Sequence, residues 1–287
     1  MEKIYCIYTD TEIERSKSNP EHIIPLALGG SNKFTILVDA VKNSELGSII
    51  DGKLANDFLM TLIRSKKGFK GHNKNEVTPI LKKSKIGKDK PTDPAQIIFN
   101  KEKVEIFSHM NKHLLSDEEI KNVTIESSFG FERFLRICFN SKILLSAGYF
   151  IYGDIFRQYA DHTSLRKLMN LNITETEDSI KNLPLKIYDP FHKLSDGNKA
   201  WAATFKFICE LASGSCVIFM LNQDNIIGSV GIGGEYLGSI VFNAQTEFFP
   251  NDDDFCLGQT IVILDREVYR ESFYNVVEKI SKNLDIK

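Results

Sequence analysis

Apolar positions along this chain change period several times, and each change marks an element. Ile4-Tyr5-Cys6-Ile7-Tyr8 reads as an opening strand, and Ile36-Leu37-Val38 as a second short apolar segment. Leu46, Ile49, Ile50, Leu54 and Phe58 then recur at helical spacing, which predicts a helix burying one face despite Gly47 and Gly52. Between residues 64 and 93, Gly68, Gly71, Gly87, Pro79 and Pro91 stand among lysines, predicting loops and short strands rather than a packed core. Ile97-Ile98-Phe99 and Val104-Glu105-Ile106-Phe107, separated by Asn100 to Lys103, predict a hairpin.

From Phe129 to Leu171 the pattern is helical. Phe131, Phe134, Leu135 and Cys138 share a face, Leu144 to Phe156 runs on, and Asn140-Ser141 marks a break between two helices. Ser215 to Leu221, Ile226 to Ile232 and Tyr236 to Phe242, separated by Asn222 to Asn225 and Gly233-Gly234, predict an antiparallel meander. Thr260 to Leu264 adds a strand before a closing helix near 267 to 282. The fold class is therefore α+β: a small N-terminal module over 1–62, a basic, loop- and hairpin-rich connecting segment over 63–128, and a larger α+β domain with an antiparallel sheet over 129–287.

At 287 residues the chain is long enough for about two domains of ordinary size. Apolar residues make up 42% and charged residues 26%, which excludes a disordered chain. No apolar run approaches a bilayer span and the N-terminus lacks an apolar signal core, so no membrane partner is expected and the expected location is the cytoplasm. Cys6, Cys138, Cys209, Cys216 and Cys256 are odd in number and show no paired spacing, which fits a reducing compartment.

The candidate chemistry lies between residues 21 and 43. Phosphodiester hydrolysis needs a base for water, a cation for the phosphate and leaving oxygen, and hard oxygen ligands for that cation. His22 is the natural base, because imidazole titrates near neutral pH. Glu21 and the side-chain oxygen of Asn43 are hard ligands of the kind Mg²⁺ or Mn²⁺ accepts. Adjacent strand residues point to opposite faces, so a bulge or bend is expected if Glu21 and His22 are to meet one ion.

The run Glu21-His22-Ile23-Ile24-Pro25, the pair Gly29-Gly30, Asn32, and then Asn43-Ser44-Glu45-Leu46-Gly47-Ser48-Ile49-Ile50-Asp51 resembles the HNH endonuclease family. That resemblance covers about the first fifth of the chain and implies a ββα-metal core: two strands and a helix around one divalent cation. It implies Glu21 as metal ligand, His22 as general base, Asn32 as the residue that holds the histidine, and Asn43 as the last ligand; a shifted alignment puts Phe34-Thr35 in the slot of Asn32. Many relatives also bind a structural zinc through two Cys-x-x-Cys pairs. Here Cys6-Ile7-Tyr8-Thr9 keeps one cysteine, and Asp39 and Lys42 stand where the second pair belongs, so no structural zinc is expected. Asp51 reads equally as a carboxylate supporting the site or as a solvent-facing helix residue.

The net charge of −2 excludes a uniformly basic nucleic-acid coat, but residues 61–90 carry Arg64, Lys66, Lys67, Lys70, Lys74, Lys82, Lys83, Lys85, Lys88 and Lys90 against only Glu76 and Asp89. Lys66, Lys67, Lys70, Lys82, Lys83 and Lys85 are the candidates for tracking a phosphate backbone. In the C-terminal region His162 beside Asp161 reads as a helix-surface pair, Asp252-Asp253-Asp254 lacks the spacing of a calcium loop, and the glycines of 228–238 do not open a helix as a dinucleotide loop does. Three readings follow. The first is a metal-dependent DNA endonuclease serving restriction or phage defence, in which a homodimer would let two sites cut both strands. The second is the same chemistry on RNA, and the third is a non-catalytic nucleic-acid-binding protein on a degenerate HNH scaffold.

Overall fold

The structure, a computed structural model, describes residues 2–71, 74–100, 103–171, 177–191 and 196–284. Where the sequence reading divides the chain after residues 62 and 128, the structure groups Met1–Leu54 with Glu132–Lys287 in one compact unit and Ala55–Phe131 in another.

The chain opens with the antiparallel hairpin β1 (Lys3–Cys6) and β2 (Thr11–Glu14). A second antiparallel pair, β3 (Ser18–His22) and β4 (Thr35–Asp39), leads directly into helix α1 (Ala40–Leu46), whose first turn is capped by Asp39 accepting the Lys42 N–H at 2.8 Å. One turn of π-helix (Gly47–Asp51) and α2 (Gly52–Ala55) follow; then Asp57 caps a new helix, α3 (Phe58–Lys67), by accepting the Leu59 N–H. The single helix expected over Leu46 to Phe58 is thus interrupted. The wider π turn shifts the phase of the apolar stripe, leaving Ile49 exposed, and the Asp57 cap restarts the helix one residue before Phe58.

In the second unit, β5 (Ile80–Gly87), β6 (Asp93–Phe99), β7 (Val104–Ser108), β8 (His113–Leu114), α4 (Asp117–Lys121) and β9 (Thr124–Ser127) follow α3. The strands make one antiparallel sheet in the order β8-β7-β6-β5-β9. The predicted hairpin pairs Ile97 with Ile106, though Lys101 and Glu102 of its turn lie outside the described residues. The segment expected to hold loops and short strands contains the eight-residue β5, whose Ile86 packs with Ala95 and Ile106 in a small core.

The first unit resumes with α5 (Arg133–Tyr152), α6 (Asp154–Tyr159), α7 (His162–Met169), α8 (Glu177–Lys181), β10 (Leu185–Tyr188) and α9 (Asp196–Ala212). It ends with β11 (Ser215–Asn222), β12 (Asn225–Ile232), β13 (Glu235–Asn243), β14 (Gly258–Leu264), β15 (Glu267–Ser272) and α10 (Phe273–Leu284). Strands β10 to β15 form an antiparallel sheet in the order β10-β13-β12-β11-β14-β15, containing the expected β11–β12–β13 meander. One face carries Cys216, Ile218 and Ile227 against Phe205, Ile208 and Cys209 of α9 and Phe273 of α10. The other receives α5, with Leu144 against Gly228 and Tyr152 edge-on to Phe219. Burial on both faces explains why these strands read as continuous apolar runs.

Two expectations need correction. Helix α5 runs unbroken through Asn140 and Ser141, because Asn140 donates to the Leu237 carbonyl and Ser141 to the Leu165 carbonyl, so their polar groups bond sideways to neighbours instead of competing with the helix. By length and hydropathy α5 does reach a bilayer span, but 83% of that window is buried inside the protein.

Candidate active site

Strand β3 carries the candidate chemistry. Asn19 and Glu21 share one face of the strand and His22 takes the other. Pairing is regular through Glu21↔Ile36 and His22↔Thr35. The bend expected to turn Glu21 and His22 toward one ion is therefore not formed, because the chain leaves the ladder only after His22.

On its face, His22 Nε2 lies 2.8 Å from Oδ1 of Asn32. Asn32 sits in the loop between β3 and β4, and several bonds fix that loop. The N–H groups of Leu28 and Gly30 donate to the Pro25 carbonyl, and Gly29 adopts a left-handed φ of 81°. Ser31 donates to the Arg266 carbonyl, Ser215 donates to the Leu28 carbonyl at 2.7 Å, and the Lys33 ammonium lies 2.6 Å from Glu267. The loop is thus tied to β11 and to the β14–β15 turn, and Phe34 at its end stacks edge-on against Phe150 of α5 at 5.0 Å. An amide oxygen can only accept, so in this contact the ring Nε2 serves as the donor and Asn32 sets the orientation of the imidazole.

The inner face of the hairpin is organised differently. Asn43 of α1 donates from Nδ2 to Oδ1 of Asn19 at 2.9 Å. Glu21, 7% exposed, is ion-paired with the ammonium of Lys142, which is wholly buried in α5 and lies 2.7 Å from Asp51. Tyr8, also buried, borders this cluster. Burial penalises the Lys142 ammonium, but the charges of Asp51 and Glu21 and the hydrogen bond to Asp51 outweigh that and hold its pKa above the usual lysine range. For Asp51, burial raises the pKa, Lys142 pulls it down and Glu21 pushes it up, leaving it at about 6. Asp51 is therefore half of a buried ion pair and not a solvent-facing helix residue.

This arrangement decides how the side chains fit the Mg²⁺ or Mn²⁺ that the sequence led us to expect. The amide oxygens of Asn43 and Asn19 have the right chemistry. Glu21 does not fit the ligand role, because its charge is already matched by an ammonium fixed in α5. Among the described residues no group of three histidine, cysteine, aspartate or glutamate side chains could hold a metal ion.

At the position of the missing cysteine pairs, the buried Cys6 thiol accepts the Asp39 N–H at 3.2 Å. Arg166 then ties down the β1–β2 turn, with Nε donating to the Ile7 carbonyl and Nη1 3.0 Å from Asp10, while Arg157 lies over the Tyr5 ring at 4.1 Å. His162 is bonded to Arg166, and both burial and that guanidinium lower its pKa. Asp252 and Asp254 close an exposed turn, the Asp254 N–H donating to Asp252.

Of the basic residues in the second unit, Lys66 and Lys67 are exposed in the last turn of α3, Lys70 pairs with Glu76 at 3.5 Å, and Lys82, Lys83 and Lys85 are exposed on β5. Arg64 is spent on structure, donating to the Ala55 carbonyl at 2.7 Å. Sequence reasoning passed over Lys142 and Asn19. A lone lysine amid Ile143-Leu144-Leu145 signals a buried charge that needs partners, whereas nothing marks Asn19. No family model, curated protein or solved structure matches this chain.

Proposed function

We propose that the chain is an HNH-type nuclease that hydrolyses DNA phosphodiester bonds, with His22 as general base and Asn32 as the residue that orients it. The observation that carries this reading is the 2.8 Å bond between His22 Nε2 and Asn32 Oδ1, held on a strand–loop–strand–helix unit. In this reading the His22 ring takes a proton from water, the resulting hydroxide attacks phosphorus, and the bond to the leaving deoxyribose oxygen breaks as that oxygen takes up a proton from solvent. Asn32 holds the ring in place, much as a carboxylate or amide partner orients other catalytic histidines. Glu21 is given no part in the chemistry; its pairing with Lys142 anchors β3 beside His22. The lysines of the second unit supply the positive charge that a nucleic-acid backbone attracts.

The test is incubation of the purified protein with supercoiled plasmid and with a structured RNA, each with Mg²⁺, Mn²⁺ or EDTA. Nicking or linearisation of the plasmid is the expected result. Cleavage of RNA alone would redirect the same site to RNA, and no cleavage of either under any condition would overturn the proposal.

A further inference from the structure

Strand β5 contains an irregularity that the proposed chemistry does not use. Its pairing with β6 runs Ile80↔Ile98 and Leu81↔Ile97, then resumes at Ser84↔Ala95, so Lys82 and Lys83 together oppose the single residue Gln96. On a regular strand one of two successive side chains would turn into the sheet; at this bulge both lysines are exposed. Neither makes an ion pair among the described residues.

The two lysines border a cleft of about 870 Å³ that lies wholly within the second unit, with Phe58 and Phe129 also in its wall. Phe129 is 54% exposed, and its ring centroid lies 5.3 Å from that of Phe58, which in turn packs at 5.5 Å against Phe99. An aromatic side chain supported from behind and open in front offers a flat face to a planar ligand. The Ser128 N–H donates to the Lys83 carbonyl, fixing the chain next to Phe129 beside the lysine pair. The volume is in the range that seats a drug-sized ligand such as a nucleotide. Asp57, the acid in the wall, is engaged in capping α3.

Two ammonium groups without an ion pair among the described residues, beside an exposed aromatic face, match a strand whose phosphates are anionic and whose bases are unstacked. We infer that this cleft binds single-stranded nucleic acid, with a base stacked on Phe129 and adjacent phosphates on Lys82 and Lys83. The inference rests on the nucleic-acid reading above and adds to it the strandedness of the bound segment. A duplex, whose bases are already stacked, has no face to offer Phe129.

Fluorescence anisotropy with a labelled oligothymidylate and a labelled duplex, on the full chain in EDTA, separates binding from cleavage. Phe129→Ala should weaken the single strand by roughly five- to a hundredfold and leave the duplex unchanged. Phe129→Trp should retain single-strand affinity and Phe129→Leu should lose it, which distinguishes stacking from packing. Lys82→Gln with Lys83→Gln should lower the salt slope for the single strand by about 1.4 log units, about 0.7 for each contact. Equal loss with Phe129→Trp and Phe129→Leu, or an unchanged salt slope, would overturn the inference. Single-strand binding in a protein that cleaves nothing would uphold the cleft while refuting the nuclease.

Discussion

Replacing Lys142 with methionine removes an ammonium from a site where nothing else can match it. The Lys142–Asp51 distance of 2.7 Å corresponds to roughly 6 kcal/mol of attraction at an effective dielectric of about 20, and Glu21 adds a second contact. Much of that is offset by the cost of burying the charges, so removing one partner is expected to cost about 3–5 kcal/mol, the range found when a buried ion pair is broken. Lys142→Met leaves Glu21 and Asp51 as two buried carboxylates, and protonating them relieves the penalty. The loss should therefore be large at neutral pH and shrink toward pH 5. Urea denaturation at a series of pH values measures it directly. The variant Lys142→Met/Glu21→Gln/Asp51→Asn removes the whole charge set and should recover most of the stability. A single-variant loss under about 1 kcal/mol at neutral pH, or one that does not vary with pH, would refute the reasoning.

Asp51 also predicts a pH dependence in the unsubstituted protein. Its folded pKa of about 6 lies above the ordinary value of 3.8, so the folded state holds the extra proton between these limits. Its contribution is full below about 4 and is lost as pH rises through about 6, and Asp51→Asn should flatten stability across that window in chemical denaturation. Gly30→Ala would place a Cβ 1.7 Å from the Ile24 carbonyl oxygen, so the loop must move and carry Asn32 from His22; plasmid cleavage should fall while far-ultraviolet circular dichroism is retained. Asn32→Ala should lower kcat more than it changes KM, and Asn32→Asp, which keeps the accepting oxygen, should restore part of the rate in steady-state cleavage assays.

What could be read in advance follows from how locally each feature is determined. The β11–β13 meander is legible because its runs are apolar and end at Asn222 to Asn225 and Gly233-Gly234. The sequence pattern starts the last helix near 267, whereas the structure has β15 there and begins α10 at Phe273. Asp265 and Arg266 both adopt left-handed φ, 50° and 66°, turning Glu267–Ser272 back onto β14, and neither residue advertises that conformation. Likewise the Asn32 partnership with His22 depends on a local loop and its Gly29-Gly30 turn, whereas the partner of Glu21 lies in α5, far along the chain. The adjacency of Glu21 and His22 suggests a shared ion, but regular pairing of β3 puts them on opposite faces, and on its own face Glu21 meets Lys142.

The central claim is that His22 acts as the general base, and the direct measurement is the single-turnover cleavage rate of supercoiled plasmid by the unsubstituted protein and by His22→Ala under identical conditions. His22 is half-buried at the end of β3, and its substitution removes the bond to Asn32 but no ion pair of the Glu21–Lys142–Asp51 cluster, so the variant is expected to remain folded. The account predicts a rate lower by roughly 10²–10⁴-fold. A folded His22→Ala protein that cleaves at the unsubstituted rate would contradict it.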